Sequence, residues 1–436
     1  MPYKDLNPET VIAYIKTNTD IFPADAKLAV YEFGSDEETD GDGFVNHLYR
    51  VSDETGKSVV LKQAKPYMRI FGEDAKLTPR RNQMEAKVIQ LRAAITPEYI
   101  PEMYHVDANN NLFIYEDCGR LKIMRFELIK GKSFPEFPKK IGAFMAKSNF
   151  YTSEIYLDQI AHKALECTFM NPEMRHIMET ILFVKRFDED DTFRLAEVDP
   201  NHVAMTELFW DKREVRVELL KLRGIFMKRS ECLVHGDLHT SNIMIDENEM
   251  KVIDMEYTFM GPTSSDSGYL VGNLIYAYIA WFHHSDGTRE SRKAYRNEIL
   301  GYIRDLINEY QRVYCACWDK DAKPLYREYT EYREAILKNY LKEVCGFAGC
   351  QIISRVGGLI GLPDFDALKN PVSRNCARRL SLLIADELIM KRETVENTDD
   401  IIAIIVTITY RYFDVMKALK GRDLSGIQVQ QKTAPE

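Results

Sequence analysis

His235-Gly236-Asp237-Leu238-His239-Thr240-Ser241-Asn242, followed by Ile253-Asp254-Met255-Glu256, is the densest chemical pattern in the chain. Short apolar runs flank its pieces. Cys232 to Val234, Ile243 to Ile245 and Lys251 to Ile253 each predict a strand. Asp246-Glu247-Asn248-Glu249 lies between the last two and reads as the turn of a hairpin. Such a hairpin brings Asn242 and Asp254 to one end, and Asp237 sits on the loop just before it. The three side chains are therefore expected to converge on one cleft.

Two carboxylates and an amide in this order suit phosphoryl transfer. One carboxylate, Asp237, orients an acceptor hydroxyl and takes its proton, while Asn242 and Asp254 hold Mg²⁺ against a triphosphate. Magnesium requires hard oxygen ligands and keeps several waters, so two or three protein ligands suffice. Glu256 offers a further metal or water contact. The spacing from Asp237 to Asn242 is that of the protein-kinase signature, with D-x-E in place of D-F-G. The plainer alternative makes His235 and Asp237 turn caps and Asp254 a strand end, which leaves the whole string unexplained. His239 alone reads as structural. The two histidines are no metal pair, because that spacing needs a helix and Gly236 argues for a loop.

Upstream, Ala29 to Phe33, Asn46 to Val51 and Ser58 to Ala64 predict a meander of three strands, with Asp53 to Lys57 as a turn. Gly41-Asp42-Gly43-Phe44-Val45-Asn46 lies in the first connection. Gly41 and Gly43 would let backbone N–H groups approach phosphates, although a plain polar loop looks the same. Val59-Val60-Leu61-Lys62 puts a lysine on a strand, where its ammonium can reach the α/β-phosphates. Arg81 to Ile95 predicts a helix, and its Glu85 is the candidate partner of Lys62. Arg80 and Arg81 read as solvated. Leu112 to Tyr115 predicts a strand ending in Glu116-Asp117, where backbone groups would meet an adenine edge.

From about residue 120 the pattern changes to long helices: Phe137 to Phe150, Met205 to Ser230, Asp266 to His283, Glu290 to Tyr314, Tyr326 to Val344 and Ala377 to Ile389. The expected fold is α+β and bilobal, a protein-kinase-like arrangement. A small β-rich nucleotide-binding lobe (1–117) precedes a larger helical lobe for catalysis and substrate (118–423), with a disordered polar tail (424–436). The 436 residues are 45% hydrophobic and 29% charged, an ordinary globular balance. A net charge of -9 argues against nucleic acid as a partner, since phosphate contacts need a positive field. The eight cysteines form no C-x-x-C pair and read as reduced thiols. The N-terminus lacks the apolar run of a signal peptide, and Ile401 to Tyr410 falls short of the ~18 residues of a membrane span. No membrane partner is expected, and the location reads as cytoplasmic.

Over most of its length the chain resembles the 5-methylthioribose kinase family, within the aminoglycoside/choline kinase superfamily. The similar stretches include Asp42-Gly43 leading to Asn46, Tyr49-Arg50-Val51 and Val60-Leu61-Lys62-Gln63-Ala64 with Pro66-Tyr67-Met68-Arg69. Phe150-Tyr151-Thr152-Ser153, His235 to Thr240, Val252 to Glu256, Gly261-Pro262 and Gly346-Phe347-Ala348-Gly349-Cys350 continue the likeness. The resemblance implies ATP-dependent phosphorylation of the 1-hydroxyl of 5-methylthioribose, in methionine salvage, by a homodimer. It implies that Asn46, Lys62, a Glu116-Asp117-Cys118 hinge and Asp254, Met255 and Glu256 contact nucleotide or metal. Asp237 would be the base and would touch the sugar. The family has serine where this chain has Asn242, and paired arginines then G-L-A-H-V where it has Ser354-Arg355 and Gly358-Leu359-Ile360-Gly361-Leu362. Arg355 is left to bind a sugar hydroxyl through its planar fork. Arg378 and Arg379 read as structural or surface residues. Another 5-substituted pentose such as 5-deoxyribose, another acceptor on the same fold (an aminoglycoside, choline or homoserine), or a non-catalytic nucleotide-binding scaffold are the alternatives. Asp188 to Asp191, the acidic run an aminoglycoside site could use, reads as a solvated loop.

Overall fold

The computed structural model describes residues 4–34, 45–69, 72–185, 212–357 and 361–420. The chain opens with helix α1 (Pro8–Asn18) and strands β1 (Ala29–Glu32), β2 (His47–Ser52) and β3 (Ser58–Gln63). A short hairpin of β4 (Tyr67–Met68) and β5 (Gly72–Lys76), helix α2 (Arg80–Ile95), and strands β6 (Met103–Asp107) and β7 (Leu112–Glu116) follow. Five strands form one antiparallel sheet in the order β1-β2-β3-β7-β6, and its first three are the expected meander. β3 is paired on both edges and is buried from Val59 to Gln63. Its alternation points Val59 and Leu61 into a small core with α1, and sends Lys62 to the opposite face. Gln63 ties the N-terminal segment down by accepting the Leu6 N–H at 2.9 Å.

The remainder is mostly helical. It runs through β8 (Lys122–Ile123), α3 (Met124–Ile129), α4 (Phe137–Tyr151), α5 (Gln159–Thr168), α6 (Pro172–Phe183) and α7 (Arg213–Lys228). Four short strands come next: β9 (Cys232–Val234), β10 (Ile243–Ile245), β11 (Met250–Val252) and β12 (Phe259–Gly261). Then come α8 (Ser265–Ala280), α9 (Arg289–Asp321), α10 (Pro324–Arg327), α11 (Thr330–Val356), α12 (Pro363–Asp366), α13 (Pro371–Lys391) and α14 (Thr398–Lys420). β10 pairs with β11 and β8, and β9 pairs with β12. Every residue of α8 is buried, and the large core wraps around it. At Gly268 a Cβ would lie 2.5 Å from the Cβ of Phe347, so the glycine lets α11 approach. The architecture is α+β, with a small β-rich N-terminal part and a larger helical C-terminal part.

Several boundaries differ from expectation. α11 runs to Val356, whereas periodicity ended it at Val344, and Tyr326 belongs to the separate short α10. Residues 344–354 are all buried, so no polar face remains to mark a helical period. The helix expected from Met205 is described only from Arg213. Gly41 to Phe44, Asp188 to Asp191, Gly358 to Ile360 and the tail 424–436 lie outside the described residues. No described helix is long and apolar enough to cross a membrane.

Candidate active site

Strand β3 and helix α2 set up one half of the cleft. The Lys62 ammonium lies 2.9 and 2.8 Å from the two oxygens of Glu85 and also pairs with Asp254. Burial opposes the charge on Lys62, but Asp254, Glu85 and Glu256 outweigh it and hold the ammonium well above its usual range. Burial pushes the Glu85 carboxyl up to about 8; Lys62 pulls it back, while Asp254 and Glu256 add to the rise. Glu85 also accepts the Met255 N–H at 3.1 Å. It thus fixes both the lysine and the backbone of the D-x-E segment.

The β10–β11 hairpin delivers the second carboxylate. Ile243 pairs with Val252, and the Ile253 N–H donates to the Asn242 carbonyl at 3.0 Å. Asn242 and Asp254 therefore sit side by side, as the turn chemistry requires. Asp254 has φ +62°, a left-handed conformation that aspartate tolerates better than most residues. Glu256 is fully buried, and one of its oxygens accepts from Asn46 Nδ2 at 2.7 Å. Burial, then Asp254, raises its carboxyl above the ordinary value, against Lys62, Arg81 and Asn46. Its other oxygen, Oε1, is buried without a hydrogen-bond partner. Met255 turns into the core, its sulfur 3.4 Å from Arg92. Carboxylate oxygens of Glu85, Asp254 and Glu256 lie within 4.8 Å of one another. Hard oxygen donors with one orphaned buried oxygen fit a divalent cation such as Mg²⁺.

Asp237 occupies the other half. His235 is buried; the Asp237 N–H donates to its Nδ1 at 3.3 Å, and its Nε2 lies 3.0 Å from the Ile253 carbonyl. That pattern assigns its proton to Nε2, and burial holds its pKa below the usual value. Gly236 has φ +86°, and a Cβ there would lie 2.3 Å from the Tyr257 carbonyl oxygen, so glycine is required. Asn242 donates its amide to the Asp237 carbonyl at 3.0 Å, which leaves its side-chain oxygen for a cation. His239 accepts the Ser241 N–H through Nδ1, and its Nε2 faces Asp237 at 3.5 Å. Burial raises the Asp237 carboxyl, but His239, His235 and Arg355 outweigh it and hold it below the usual range. Arg355, at the end of α11, thus contributes to the field at Asp237. Ser354 is buried, and its hydroxyl donates to the Gln351 carbonyl at 2.9 Å.

The segment after β7 has its side chains otherwise engaged. Asp117 accepts from Arg50 at 2.7 Å and from Ser58 at 2.8 Å, tying β2 and β3 to the end of β7. Glu116 pairs with Arg120, and burial pushes the Cys118 thiol up to about 12. Only backbone groups there remain for a ligand. Gly43 lies outside the described residues.

Three features were missed by sequence reasoning. Arg81, read as solvated, is completely buried and donates to Asn46 at 3.0 Å. Arg80 is exposed, and Arg379 is exposed too, while Arg378 lies 3.8 Å from Asp366. Asp266, at the start of α8, accepts the N–H groups of His235 at 2.6 Å and Gly236 at 3.0 Å. Arg92 donates to the Leu233 carbonyl at 2.9 Å and so ties α2 to β9, the strand before the loop that carries Asp237. An arginine four residues before Glu85 on the same helix face was the one signal that could have found Arg81.

Residues 182–314 match the model of the phosphotransferase enzyme family. The chain is 31% identical over 401 residues to a methylthioribose kinase of Geobacillus sp. (strain WCH70), covering 92% of this chain and 95% of that one. It is likewise 31% identical over 389 residues to a methylthioribose kinase of Bacillus cereus (strain G9842), with 89% and 93% covered. Among solved structures it is similar to an ethanolamine kinase of Plasmodium vivax, with a TM-score of 0.45 and 15% identity over 87% of this chain and 89% of that one. At 31% identity over nearly the whole length of both chains, the protein belongs to the methylthioribose kinase family.

Proposed function

We propose that the protein transfers the γ-phosphoryl group of ATP to the 1-hydroxyl of 5-methylthioribose or a close 5-substituted pentose. The observation that carries this is the near full-length similarity to proteins named methylthioribose kinase. The reading includes an enzyme of methionine salvage, acting as a homodimer in the cytoplasm.

Asp237, ionised and facing His239, accepts the hydroxyl proton and aims the oxygen. Lys62, fixed by Glu85, sits where it can grip the α- and β-phosphates. The loop ending at Asn46, including Gly43, covers the phosphates, and backbone groups of Glu116 to Cys118 meet the adenine. Asn242, Asp254 and Glu256 hold Mg²⁺, which when bound neutralises the charge of the triphosphate. Arg355 binds a sugar hydroxyl. Positioning and fixed charge supply most of the rate enhancement in such a site.

One observation bears on which sugar is accepted. Ser354 stands where the family resemblance expects a second arginine, and its hydroxyl is turned back onto Gln351. The test is ADP release with Mg·ATP and 5-methylthioribose, 5-deoxyribose, ribose, choline or kanamycin. Saturable turnover with 5-methylthioribose or 5-deoxyribose ahead of the rest is the expected result. Preference for choline or kanamycin overturns the pentose assignment.

A further inference from the structure

Helix α2 brings two charged residues to the cleft on one face, Arg81 and Glu85. Glu85 serves Lys62. Arg81 is 0% exposed, and its whole guanidinium is engaged. Nε donates to Asn46 Oδ1 at 3.0 Å and lies 3.3 Å from Glu256 Oε2. One terminal nitrogen donates to the Lys65 carbonyl at 3.0 Å and the Thr78 carbonyl at 2.7 Å. The other reaches the Val45 carbonyl at 3.5 Å. Asn46 closes the ring by donating to the same Glu256 oxygen at 2.7 Å.

The two oxygens of Glu256 are therefore treated unequally. Oε2 is held by Arg81 and Asn46. Oε1 is buried with no donor, a costly state for a carboxylate unless a cation takes it up. Fixing one oxygen orients the other. The backbone contacts of Arg81 would suffice for a fold anchor; the aim of its Nε at the Asn46–Glu256 pair is what a fold anchor does not require.

We propose that Arg81 is a positioning residue for the divalent cation, holding Glu256 so that Oε1 faces it, and joining that carboxylate to the chain at Val45–Asn46. The inference rests on the metal·nucleotide part of the proposed function and is independent of the sugar. Lysine keeps the charge but lacks the fork that reaches all these acceptors at once.

The test is calorimetric binding of Mn²⁺·ADP and of metal-free ADP to the full chain. Arg81→Lys should weaken Mn²⁺·ADP roughly 10- to 100-fold, as loss of a partner behind a metal ligand does. Metal-free ADP should bind within about twofold of the parent. In a Glu256→Gln background, Arg81→Lys should change Mn²⁺·ADP affinity by no more than about twofold, since the link is already cut. If Arg81→Lys does not fold, Arg81→Gln, which keeps a donor without the fork, is the second variant and should show the same metal-specific loss. Equal weakening of both ligands, or the same loss in both backgrounds, overturns the positioning role. A parent that binds ADP identically with and without Mn²⁺ overturns it together with the metal assignment. Normal Mn²⁺·ADP behaviour without sugar turnover supports the inference and sinks only the substrate reading.

Discussion

On the nucleotide side, the Lys62 and Glu85 side chains are 4% and 2% exposed and only Asp254 is open, at 37%, whereas across from them Asp237 and His239 keep 24% and 19%. The first group is held by several contacts per residue, from β3, α2 and the segment after β11. The second hangs on a short loop whose fixed point is Asp266, with Arg355 arriving from a distant helix. The difference suits the division of labour. A triphosphate is one constant ligand and rewards a rigid, pre-charged socket. An acceptor site can change its ligand by altering a few side chains around a fixed base.

The comparison breaks most sharply at Asp237. Asp237→Ala should lower kcat by roughly 10²- to 10⁴-fold, the range for losing a general base. ATP binding, followed by fluorescence of a nucleotide analogue, should stay close to that of the parent. Comparable losses in both would mean that the two halves are not separable, and that Asp237 supports the nucleotide socket too.

A smaller effect is expected at Arg355. Its removal in Arg355→Ala should raise KM for the pentose roughly tenfold or more, the worth of one charge-assisted hydrogen bond, with KM for ATP unmoved. An unchanged pentose KM would take Arg355 out of the acceptor site and leave it as a counter-charge for Asp237 and Asp366.

The two halves also differed in how well the sequence announced them. Asp237, Asn242 and Asp254 are brought together by a hairpin whose turn and strands are local, so spacing was enough to place them. Lys62 and Glu85 lie only 23 residues apart, on β3 and on the first helix after it, so their pairing could be expected. Arg81 was misread because its burial depends on Asn46 and Glu256, remote in sequence, and a charged residue at a helix start looks solvated until those partners are known. Asp266 was seen only as a helix start, because the groups that donate to it are backbone N–H groups that carry no sequence signature. The length of α11 was hidden by complete burial, and with it the fact that Ser354 and Arg355 ride on one helix and point differently. Strand β12 adds a further case: its partner β9 was expected, but the three residues Phe259 to Gly261 are too few for a period to show.

The finest expected effect concerns His239, read from sequence as structural. Its Nδ1 does accept a local N–H, yet the ring also sets the proton affinity of the base. Burial favours the neutral Asp237 carboxyl, and the depressed pKa exists only because His239, His235 and Arg355 oppose it. A base works when deprotonated, so activity falls as pH drops through that pKa. Taking away the imidazole leaves the burial and removes the leading opposing charge, so the pKa must rise. In His239→Gln the acid limb of kcat/KM should therefore move to higher pH, with the plateau near pH 8 nearly unchanged. Nucleotide affinity should not follow, because Lys62 and Glu85 answer to each other and to Asp254. A pH profile that keeps its acid limb in place would return His239 to a purely local role, and would leave Arg355 and His235 as the groups that keep the base ionised.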